Sequence, residues 1–217
     1  VVYLWQNIIF YNMKIGSHNS LTYKPTIWYQ RLLHFTAKCQ TVDYKKQYEE
    51  YGVRLFDLRI WFNDDFKIEV RHGIIKFKMN NDEINDFLKY LDNKGDCYLR
   101  IIFEETNINK TQTDIEYKEH LFKEWCNVVE TTYKNIKFFG GNRKYDWYRL
   151  FTFGNKDEEL IDLYSSTTSL FNSDNKFLRI IDDLCPWLYA RLNNEKNFQK
   201  YKDEDKKWLF IDFVNIK

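Results

Sequence analysis

The sequence has almost no excess of charge of either sign and no clustered cysteines. Its 33 Lys and Arg residues nearly balance its 32 Asp and Glu residues, which gives a formal net charge of +1. Such a chain exerts no long-range attraction on a polyanion, so the composition argues against a nucleic-acid partner. The cysteines are Cys39, Cys97, Cys126 and Cys185, and their spacing forms neither a CxxC pair nor a zinc-finger pattern. We therefore expect buried free thiols and a reducing compartment.

Segments that would anchor or divide the chain are also missing from the pattern. Residues 1–14 are mostly apolar, but Gln6, Asn7 and Asn12 interrupt them. This stretch has neither a basic leader nor a small-residue cleavage site. We therefore expect no signal peptide, no membrane span and a cytoplasmic location. No linker, repeat or low-complexity stretch interrupts the sequence. Hydrophobic residues at 44% and aromatic residues at 19% predict the core of one domain over residues 1–217.

Short apolar runs alternate with helical patterns along most of the chain. The predicted strands cover residues 13–17, 53–61, 66–71, 97–103, 136–139, 149–153, 177–181 and 208–214. Helical patterns occupy most of the intervals, and this βα order predicts a largely parallel sheet. We therefore predict an α/β fold, namely a (β/α) barrel of the TIM type that is small and need not be regular.

Apolar spacing and end signals predict several helices. The helix over residues 82–93 has apolar residues at i, i+3, i+4 and i+7, and Gly95 ends it. Thr113 and Glu116 have the spacing of a capping box, which predicts a helix from there to about residue 133. The side chains of that helix predicted to face the core are Phe122, Trp125, Val128 and Val129. Pro186 fits the first turn of another helix.

Five side chains that suit phosphodiester chemistry stand in four short segments. They are His18, Asp57, Arg59, His72 and Asp212. A histidine can act as general base or general acid near neutral pH, and each role is worth on the order of 10²–10⁴ in rate. An arginine directs two donors to phosphate oxygens, and a carboxylate beside a histidine fixes its tautomer. Together these groups predict an acid/base phosphodiesterase.

The predicted fold brings these groups toward one end of the sheet. In a (β/α) barrel the reactive groups lie at the C-terminal ends of strands, where we expect His18, Glu104 and Asp212. Asp57 and Arg59 are two residues apart in a strand, so their side chains point to the same side. The alternative for Asp57 and Arg59 is a buried ion pair without a chemical role.

The segments around these residues resemble the X domain of the phosphatidylinositol-specific phospholipase C family. The segments are Ser17-His18-Asn19-Ser20, Phe56-Asp57-Leu58-Arg59, His72-Gly73 and Asp212-Phe213-Val214, with Cys39-Gln40 and Tyr51-Gly52-Val53-Arg54 as further framework. The likeness covers residues 13 to about 105 and the last strand. It implies a phosphoric diester hydrolase and lyase of lipid metabolism, which cleaves a phosphoinositide-type phospholipid at a membrane surface through a cyclic phosphodiester.

The resemblance also implies a role for each group. In that family, the residue matching His18 is the base on the inositol 2-hydroxyl, and the one matching His72 protonates the diacylglycerol leaving oxygen. Asp57 would then lie near the sugar hydroxyl, and Arg59 would bind the phosphate. Asp212 would orient His18.

Two residues depart from the metal-independent bacterial members of that family. Those members carry Asp where this chain has Asn19, and Lys where it has Glu104. Calcium-dependent eukaryotic members do carry Asn and Glu at these places, but their fourth ligand aligns with Arg59, whose charge would repel calcium. We therefore expect a site without a metal or cofactor. Asn19 would contact substrate, and Glu104 would pair with Arg59 or bind a substrate hydroxyl.

The sequence leaves other interpretations open. Asn19 and Glu104 also suit a phosphoinositide- or anion-binding module with weak or no turnover, and the same site suits a phosphodiester with another head group. Arg143 and Tyr145 are candidates to hold a sugar or a phosphate. Three residues after the first strand either enter a lipid interface or pack against the barrel, namely Trp28, Tyr29 and Leu32.

Overall fold

The structure, a computed structural model, describes residues 14–105, 111–142, 153–154, 163–165, 185–201, 203 and 208–216. Nine strands lie within these residues: β1 (Lys14–Ser17), β2 (Val53–Phe62), β3 (Ile68–His72), β4 (Ile75–Lys76), β5 (Tyr98–Phe103), β6 (Lys137–Asn142), β7 (Phe153–Gly154), β8 (Leu163–Ser165) and β9 (Trp208–Ile211). The same residues contain five α-helices: α1 (His34–Ala37), α2 (Tyr44–Glu49), α3 (Asn81–Lys94), α4 (Gln112–Thr132) and α5 (Pro186–Tyr201). A 3₁₀ helix spans Trp28–Leu33. The predicted strand over residues 177–181 and most of the one over 149–153 lie outside the described residues.

The strands form one mixed sheet in the order β7-β6-β5-β2-β1-β9-β8. β1 is parallel to β2 and β9, β5 is parallel to β2 and β6, and β8 is parallel to β9. β7 is antiparallel to β6, and β3 branches from β2 as an antiparallel hairpin with β4. The prediction of an α/β fold with a largely parallel sheet is confirmed. Within the described residues the sheet is open, because it ends at β7 and β8, so barrel closure stays a prediction.

Strand β1 lies between β2 and β9 because its residues leave room for two close neighbours. Ile15, Gly16 and the following serine are buried. A Cβ at Gly16 would lie 2.7 Å from the Phe210 ring and 3.0 Å from the Leu55 side chain, so only glycine permits this approach of three strands. The backbone N–H of His18 donates to the carbonyl of Ile211 at 3.0 Å. The strand therefore delivers His18 in a fixed position beside the end of β9.

Helix α3 covers one side of β2. It buries the four apolar residues that the sequence predicts to face the core, Ile84, Phe87, Leu88 and Leu91. Asn80 and Glu83 form a capping box at its start, and Gly95 ends it in the left-handed conformation, with a φ of 74°. Phe87 packs against Phe56, with ring centroids 5.7 Å apart. This packing fixes the strand that carries two of the candidate site residues.

The capping box of α4 differs from the predicted one. Thr111 and Asp114 form it, each side chain bonding to the other's backbone N–H, so the prediction of Thr113 and Glu116 was wrong. Thr113 is already the second residue of the helix, whereas an N-cap side chain must come from the extended residue before it. The end of the helix at Thr132 agrees with the prediction.

The core-facing side of α4 is narrower than the sequence suggests. Phe122 and Val129 are buried, and Trp125 is partly buried against the core. Val128 is 61% exposed, which contradicts the prediction that it faces the core. Successive helical residues are about 100° apart around the axis, so a face centred near Phe122 and Val129 turns Val128 outward.

The cysteines are free thiols, as the sequence predicts. Cys39, Cys97 and Cys126 are buried, and Cys185 is partly buried. Burial raises the pKa of the Cys39 and Cys126 thiols, and it raises that of Cys97 to about 12. These thiols therefore stay protonated near neutral pH.

Candidate active site

Strands β1, β5 and β9 end at one edge of the sheet, beside the second half of the longer strand β2. Ser17 at the end of β1 pairs with Phe56 on one side and with Ile211 on the other. Because these strands are parallel, the residues that follow β1, β5 and β9 emerge at this edge, although the β1–β2 register shifts between Ile15 and Gly16. The predicted site residues carried by this edge are His18, Asn19, Asp57, Arg59, Glu104 and Asp212.

His18 is held by one partner on each ring nitrogen. Its Nδ1 lies 2.7 Å from Asp212 Oδ1, and Arg59 Nη2 donates a hydrogen bond to its Nε2. A guanidinium only donates hydrogen bonds, so Nε2 carries the lone pair and Nδ1 carries the hydrogen that the carboxylate accepts. The structure therefore presents a neutral imidazole with one defined tautomer.

Electrostatics around His18 favour the same neutral state. Burial, followed by the charge of Arg59, holds the pKa of His18 well below its ordinary value. The Asp57 carboxylate has the opposite effect on this pKa but does not overcome them. His18 is thus deprotonated near neutral pH, the form in which an imidazole accepts a proton.

Asp57 forms an ion pair with Arg59. Its Oδ2 accepts hydrogen bonds at 2.9 Å from Arg59 Nε and from the backbone N–H of Asn19. Both Asp57 and Arg59 are completely buried, and they face the same side of β2 as predicted. Burial alone would raise the pKa of Asp57, but Arg100 and then Arg59 outweigh it and hold the pKa below its ordinary value.

Arg100 is a site residue that the sequence reasoning missed. It stands opposite Asp57 in the β2–β5 register, and its Nε donates to Asp57 Oδ1 at 2.8 Å. Its guanidinium also lies over the Phe210 ring, 4.4 Å from the centroid. The sequence does contain a signal, because Arg100 is a charged residue inside the otherwise apolar strand Tyr98–Phe103 and therefore needs a buried partner.

His72 reaches the site from β3 and is only partly buried. Its Nδ1 lies 2.9 Å from the carbonyl oxygen of Ala37 and 3.5 Å from Cys39 Sγ. A carbonyl oxygen only accepts, so Nδ1 carries a hydrogen, and Nε2 is the nitrogen that gains or loses a proton. The rings of His18 and His72 meet edge to face, with centroids 5.7 Å apart and planes at 86°. The structure thus brings the two predicted imidazoles together.

Glu104 links the two sides of the site. Its Oε1 accepts a hydrogen bond at 2.7 Å from the backbone N–H of Gly73, and its Oε2 lies 3.8 Å from Arg59 Nη1. Gly73 has a φ of 58°, a left-handed conformation in the tight turn between β3 and β4. The carboxylate therefore positions the turn that follows His72. The predicted proximity of Glu104 and Arg59 is confirmed.

Asn19 carries a buried amide at the same edge. Its side chain is fully enclosed, and neither Oδ1 nor Nδ2 has a hydrogen-bond partner among the described residues. Its φ of 47° is left-handed, a conformation that asparagine tolerates better than most residues. An unsatisfied buried amide costs roughly 1–3 kcal/mol, so this group is suited to a hydrogen-bonding ligand.

Gln40 ties together the loops that carry His18 and Asp212. Its Nε2 donates to the carbonyls of His18 and Ile211, both at 3.1 Å, and its Oε1 accepts from the backbone N–H of Val214 at 3.1 Å. The sequence identifies this residue only as part of a motif. These three bonds fix the spacing between the ends of β1 and β9, and with it the His18–Asp212 contact.

The residues that would hold a metal do not fit that role. Ligand atoms of His18, Cys39 and Asp212 lie within 4.8 Å of one another. Coordination through His18 Nδ1 would move the ring hydrogen to Nε2, where it would meet the donors of Arg59. The calcium ligands that the sequence resemblance would imply fit no better, because the Arg59 guanidinium lies between Asp57 and Glu104 and both Asp57 oxygens already bind arginine.

The remaining predictions concern the periphery of the site. Arg143 and Tyr145 lie outside the described residues. Trp28 is 75%, Tyr29 59% and Leu32 87% exposed, so these side chains do not pack against the sheet. Throughout the described ranges, we find no helix with the length and apolar content that crossing a bilayer requires.

The fold is similar to solved structures of bacterial phosphatidylinositol-specific phospholipases C. The enzyme from Listeria monocytogenes is 14% identical, with a TM-score of 0.56 over 93% of this chain and 88% of that chain. A double mutant of the Staphylococcus aureus enzyme is 17% identical, with a TM-score of 0.59 over 95% and 87%. No protein-family model and no curated protein matches the sequence. At these identities the likeness shows a shared mixed α/β fold.

Proposed function

We propose that this protein is a phosphodiesterase that cleaves a phosphoinositide-type phospholipid by general base and general acid catalysis. The observation that supports this most is the arrangement of His18, His72 and Arg59. Two imidazoles meet edge to face, and a buried guanidinium contacts one of them. An internal displacement at phosphorus requires a base, an acid and a cation on the phosphoryl oxygens, and the three residues supply them in that order.

The first half of the reaction begins at His18. When a phosphodiester binds, its oxygens replace His18 as acceptors of the Arg59 donors, which releases the Nε2 lone pair. Nε2 then takes the proton of the neighbouring head-group hydroxyl, and the hydroxyl oxygen forms a bond to phosphorus. The Asp212 carboxylate accepts the Nδ1 hydrogen throughout and stabilises the imidazolium that forms.

The second half of the reaction takes place at His72. As the new bond forms, the bond between phosphorus and the diacylglycerol oxygen breaks, and His72 Nε2 gives its proton to that oxygen. Ala37 keeps the other ring nitrogen protonated, so the transferred proton comes from Nε2. The products are diacylglycerol and a cyclic phosphodiester, which water opens when the two histidines act in the reverse sense. The protein is then both lyase and hydrolase.

We also propose how the groups around the scissile phosphodiester bind the substrate and the membrane. The reaction proceeds without a metal, since Arg59 supplies the positive charge. The free amide of Asn19 binds a substrate hydroxyl, and Arg143 and Tyr145 contact the head group. The sheet closes into a small barrel around this edge. Exposed Trp28 and its neighbours enter the surface of a membrane, and the protein acts there as a peripheral, cytoplasmic enzyme.

A second candidate is an anion-binding module without turnover. One observation favours it: Asp57 and Glu104 both lie beside Arg59 and neutralise charge that a phosphate would otherwise meet. In that case the site would hold an anionic head group weakly and would not transfer protons. The two candidates differ in turnover and not in binding.

The test is release of phosphorylated head group from phosphatidylinositol vesicles, followed by phosphorus NMR with either calcium or a chelator present. We expect a cyclic phosphodiester in both conditions. His18→Ala should abolish it, whereas His120→Ala should not, because His120 is exposed on α4 and contacts Glu124 at 3.3 Å. No product from phosphoinositides, sphingomyelin or glycerophosphodiesters, in either condition, excludes the enzyme. Lipid binding that survives such a result supports the module.

A further inference from the structure

A cleft of about 330 Å³ adjoins the candidate active site, between the segment Trp28–Ala37 and the start of α5. Residues that line it include Arg31, His34, Phe35, Lys38, Trp187 and Phe213. Three of these side chains are basic types and three are aromatic. No acidic residue lines the cleft within the described part of the chain. Its lining therefore suits a ligand that has both a negative charge and an apolar portion.

Two basic side chains of the cleft, Arg31 and Lys38, are available to an anion. Arg31 and Lys38 line the cleft, and none of the described residues that line it with them is acidic. The Nε2 atom of His34 is enclosed and has no hydrogen-bond partner among the described residues. Burial, and then the charge of Lys38, lowers the pKa of His34, so its ring is neutral and supplies one N–H donor.

The backbone connects this cleft to both catalytic histidines. Lys38 follows Ala37, whose carbonyl oxygen accepts from His72. Phe213 follows Asp212, the carboxylate partner of His18, and its backbone N–H donates to the Cys39 carbonyl at 2.6 Å. Phe213 has a φ of 49°, a rare conformation for an aromatic residue, and this conformation keeps its ring in the cleft wall.

The rim of the cleft is apolar and unusually exposed. Among the residues that line the cleft, Phe35 is 57% and Trp187 40% exposed, and Leu32, in the 3₁₀ helix that precedes Phe35, is 87% exposed. Aromatic and aliphatic side chains of this kind enter the boundary between head groups and acyl chains of a bilayer. The basic centre of the cleft then lies at the depth of the lipid phosphates.

We propose that this cleft binds the phosphate of an anionic phospholipid in the bilayer, as a second lipid separate from the one that is cleaved. The proposal rests on the proposed action at a lipid surface. The bound lipid would fix the orientation of the protein, with the ends of β1 and β9 directed at the membrane. It would add affinity for anionic membranes without taking part in proton transfer.

The test measures binding to vesicles in the His18→Ala background, so that turnover does not consume lipid. Vesicles contain phosphatidylcholine with or without phosphatidylglycerol, and binding is measured by co-sedimentation. The cleft variant combines Arg31→Gln with Lys38→Gln. The matched control combines Lys89→Gln with Lys134→Gln, two exposed lysines that do not line the cleft. A third variant, Arg31→Lys with Lys38→Arg, keeps both charges, and thermal unfolding verifies that every variant is folded.

We expect the cleft variant to bind phosphatidylglycerol vesicles about 30-fold more weakly, from roughly fivefold for each cation near an anionic surface. The control should lose less than twofold, and the charge-preserving variant should bind like its parent. Equal losses in the cleft variant and the control would overturn the proposal, since they indicate diffuse attraction. Binding that does not depend on phosphatidylglycerol would overturn it too. Because the readout is binding, the result is independent of whether the wild-type protein turns over lipid.

Discussion

The two histidines of the site are held in different ways. His18 is 5% exposed and is fixed by a carboxylate on one nitrogen and a guanidinium on the other. His72 is partly exposed at the end of a short hairpin strand, where its ring contacts the Ala37 carbonyl, the Cys39 thiol and the edge of the His18 ring. A base benefits from a fixed tautomer, whereas an acid must reach a leaving group whose position changes with the lipid. The difference suits the roles that we propose.

The groups that contact and support the two rings also differ in charge. His18 is surrounded by charged groups. Asp212 and Arg59 contact its ring, and Asp57 forms an ion pair with Arg59. His72 itself contacts neutral groups, the Ala37 carbonyl and the Cys39 thiol, and Glu104 binds the backbone N–H of the next residue, Gly73. Removal of a group behind His18 should therefore cost more activity than removal of a group behind His72.

The largest effect should come from Asp212→Asn. The amide no longer selects the His18 tautomer and no longer stabilises the imidazolium, so we expect kcat to fall by about 10³–10⁴ with KM nearly unchanged. Steady-state kinetics on phosphatidylinositol vesicles measure this split. Asp203→Asn, a change at an exposed turn, is the control and should leave both constants unchanged. A loss of less than tenfold would mean that Asp212 only supports the fold.

His72→Ala should have the next largest effect. Loss of the general acid should lower turnover of lipid by about 10²–10³. An analogue with a nitrophenol leaving group needs no proton, so the same variant should retain activity on it within about tenfold. His18→Ala should remain inactive on both substrates. If the analogue rescues His18→Ala and not His72→Ala, the roles of the two rings are reversed.

Two substitutions at Glu104 separate its two contacts. Glu104→Gln keeps an acceptor for the Gly73 N–H but removes charge beside Arg59, so we expect unchanged kcat and a KM several-fold lower. Glu104→Ala leaves that N–H without its partner, and we expect kcat to fall about tenfold, which matches a loss of roughly 1.4 kcal/mol. Steady-state kinetics of both variants over a range of lipid concentrations measure kcat and KM separately. Equal kcat values for the two would show that Glu104 does not position the His72 turn.

Local pattern predicts the part of this site that depends on strands. Side chains alternate between the two faces of a strand, so Asp57 and Arg59 of β2 lie on one side. The ends of parallel strands bring His18 and Asp212 to one edge. Pattern also places Glu104 at the end of β5, whereas its contact with Arg59 was expected only from the family resemblance. These predictions succeed because strand geometry has a fixed period and parallel strands have a common direction.

Contacts made across the sheet or through loops are not visible in local pattern. Arg100 pairs with Asp57 only because β5 lies next to β2 in a particular register, and nothing in either strand alone specifies that register. Gln40 bonds to two strand ends that are distant in sequence. Helices have a corresponding limit. A shift of one residue around the helix axis decides whether Val128 is buried, and the N-cap of α4 depends on which residue is the last extended one.

Arg100→Met tests that cross-strand pair and should affect stability more than turnover. Asp57 keeps Arg59 but loses a buried partner, so we expect the free energy of unfolding at neutral pH to fall by about 2 kcal/mol and kcat to fall only about threefold. Arg54→Met is the matched control, since Arg54 pairs with Asp96 at 2.9 Å on the surface and should cost less than about 1 kcal/mol. Urea unfolding of both variants measures the difference, and equal losses would contradict a structural role for the buried pair.

For Arg100→Met, the direction in which its loss of unfolding free energy changes with pH can also be predicted. Arg100 and Arg59 hold the pKa of Asp57 below its ordinary value, so wild-type stability from this group is present above the unfolded pKa of about 3.9 and is lost as pH falls through the folded pKa. Without Arg100 the folded pKa moves upward, and less of that stability exists to lose. The difference in unfolding free energy between wild type and Arg100→Met should therefore shrink as pH falls below about 4. A difference that stays constant would place the cost of the variant in packing against Phe210 instead of in the charge pair.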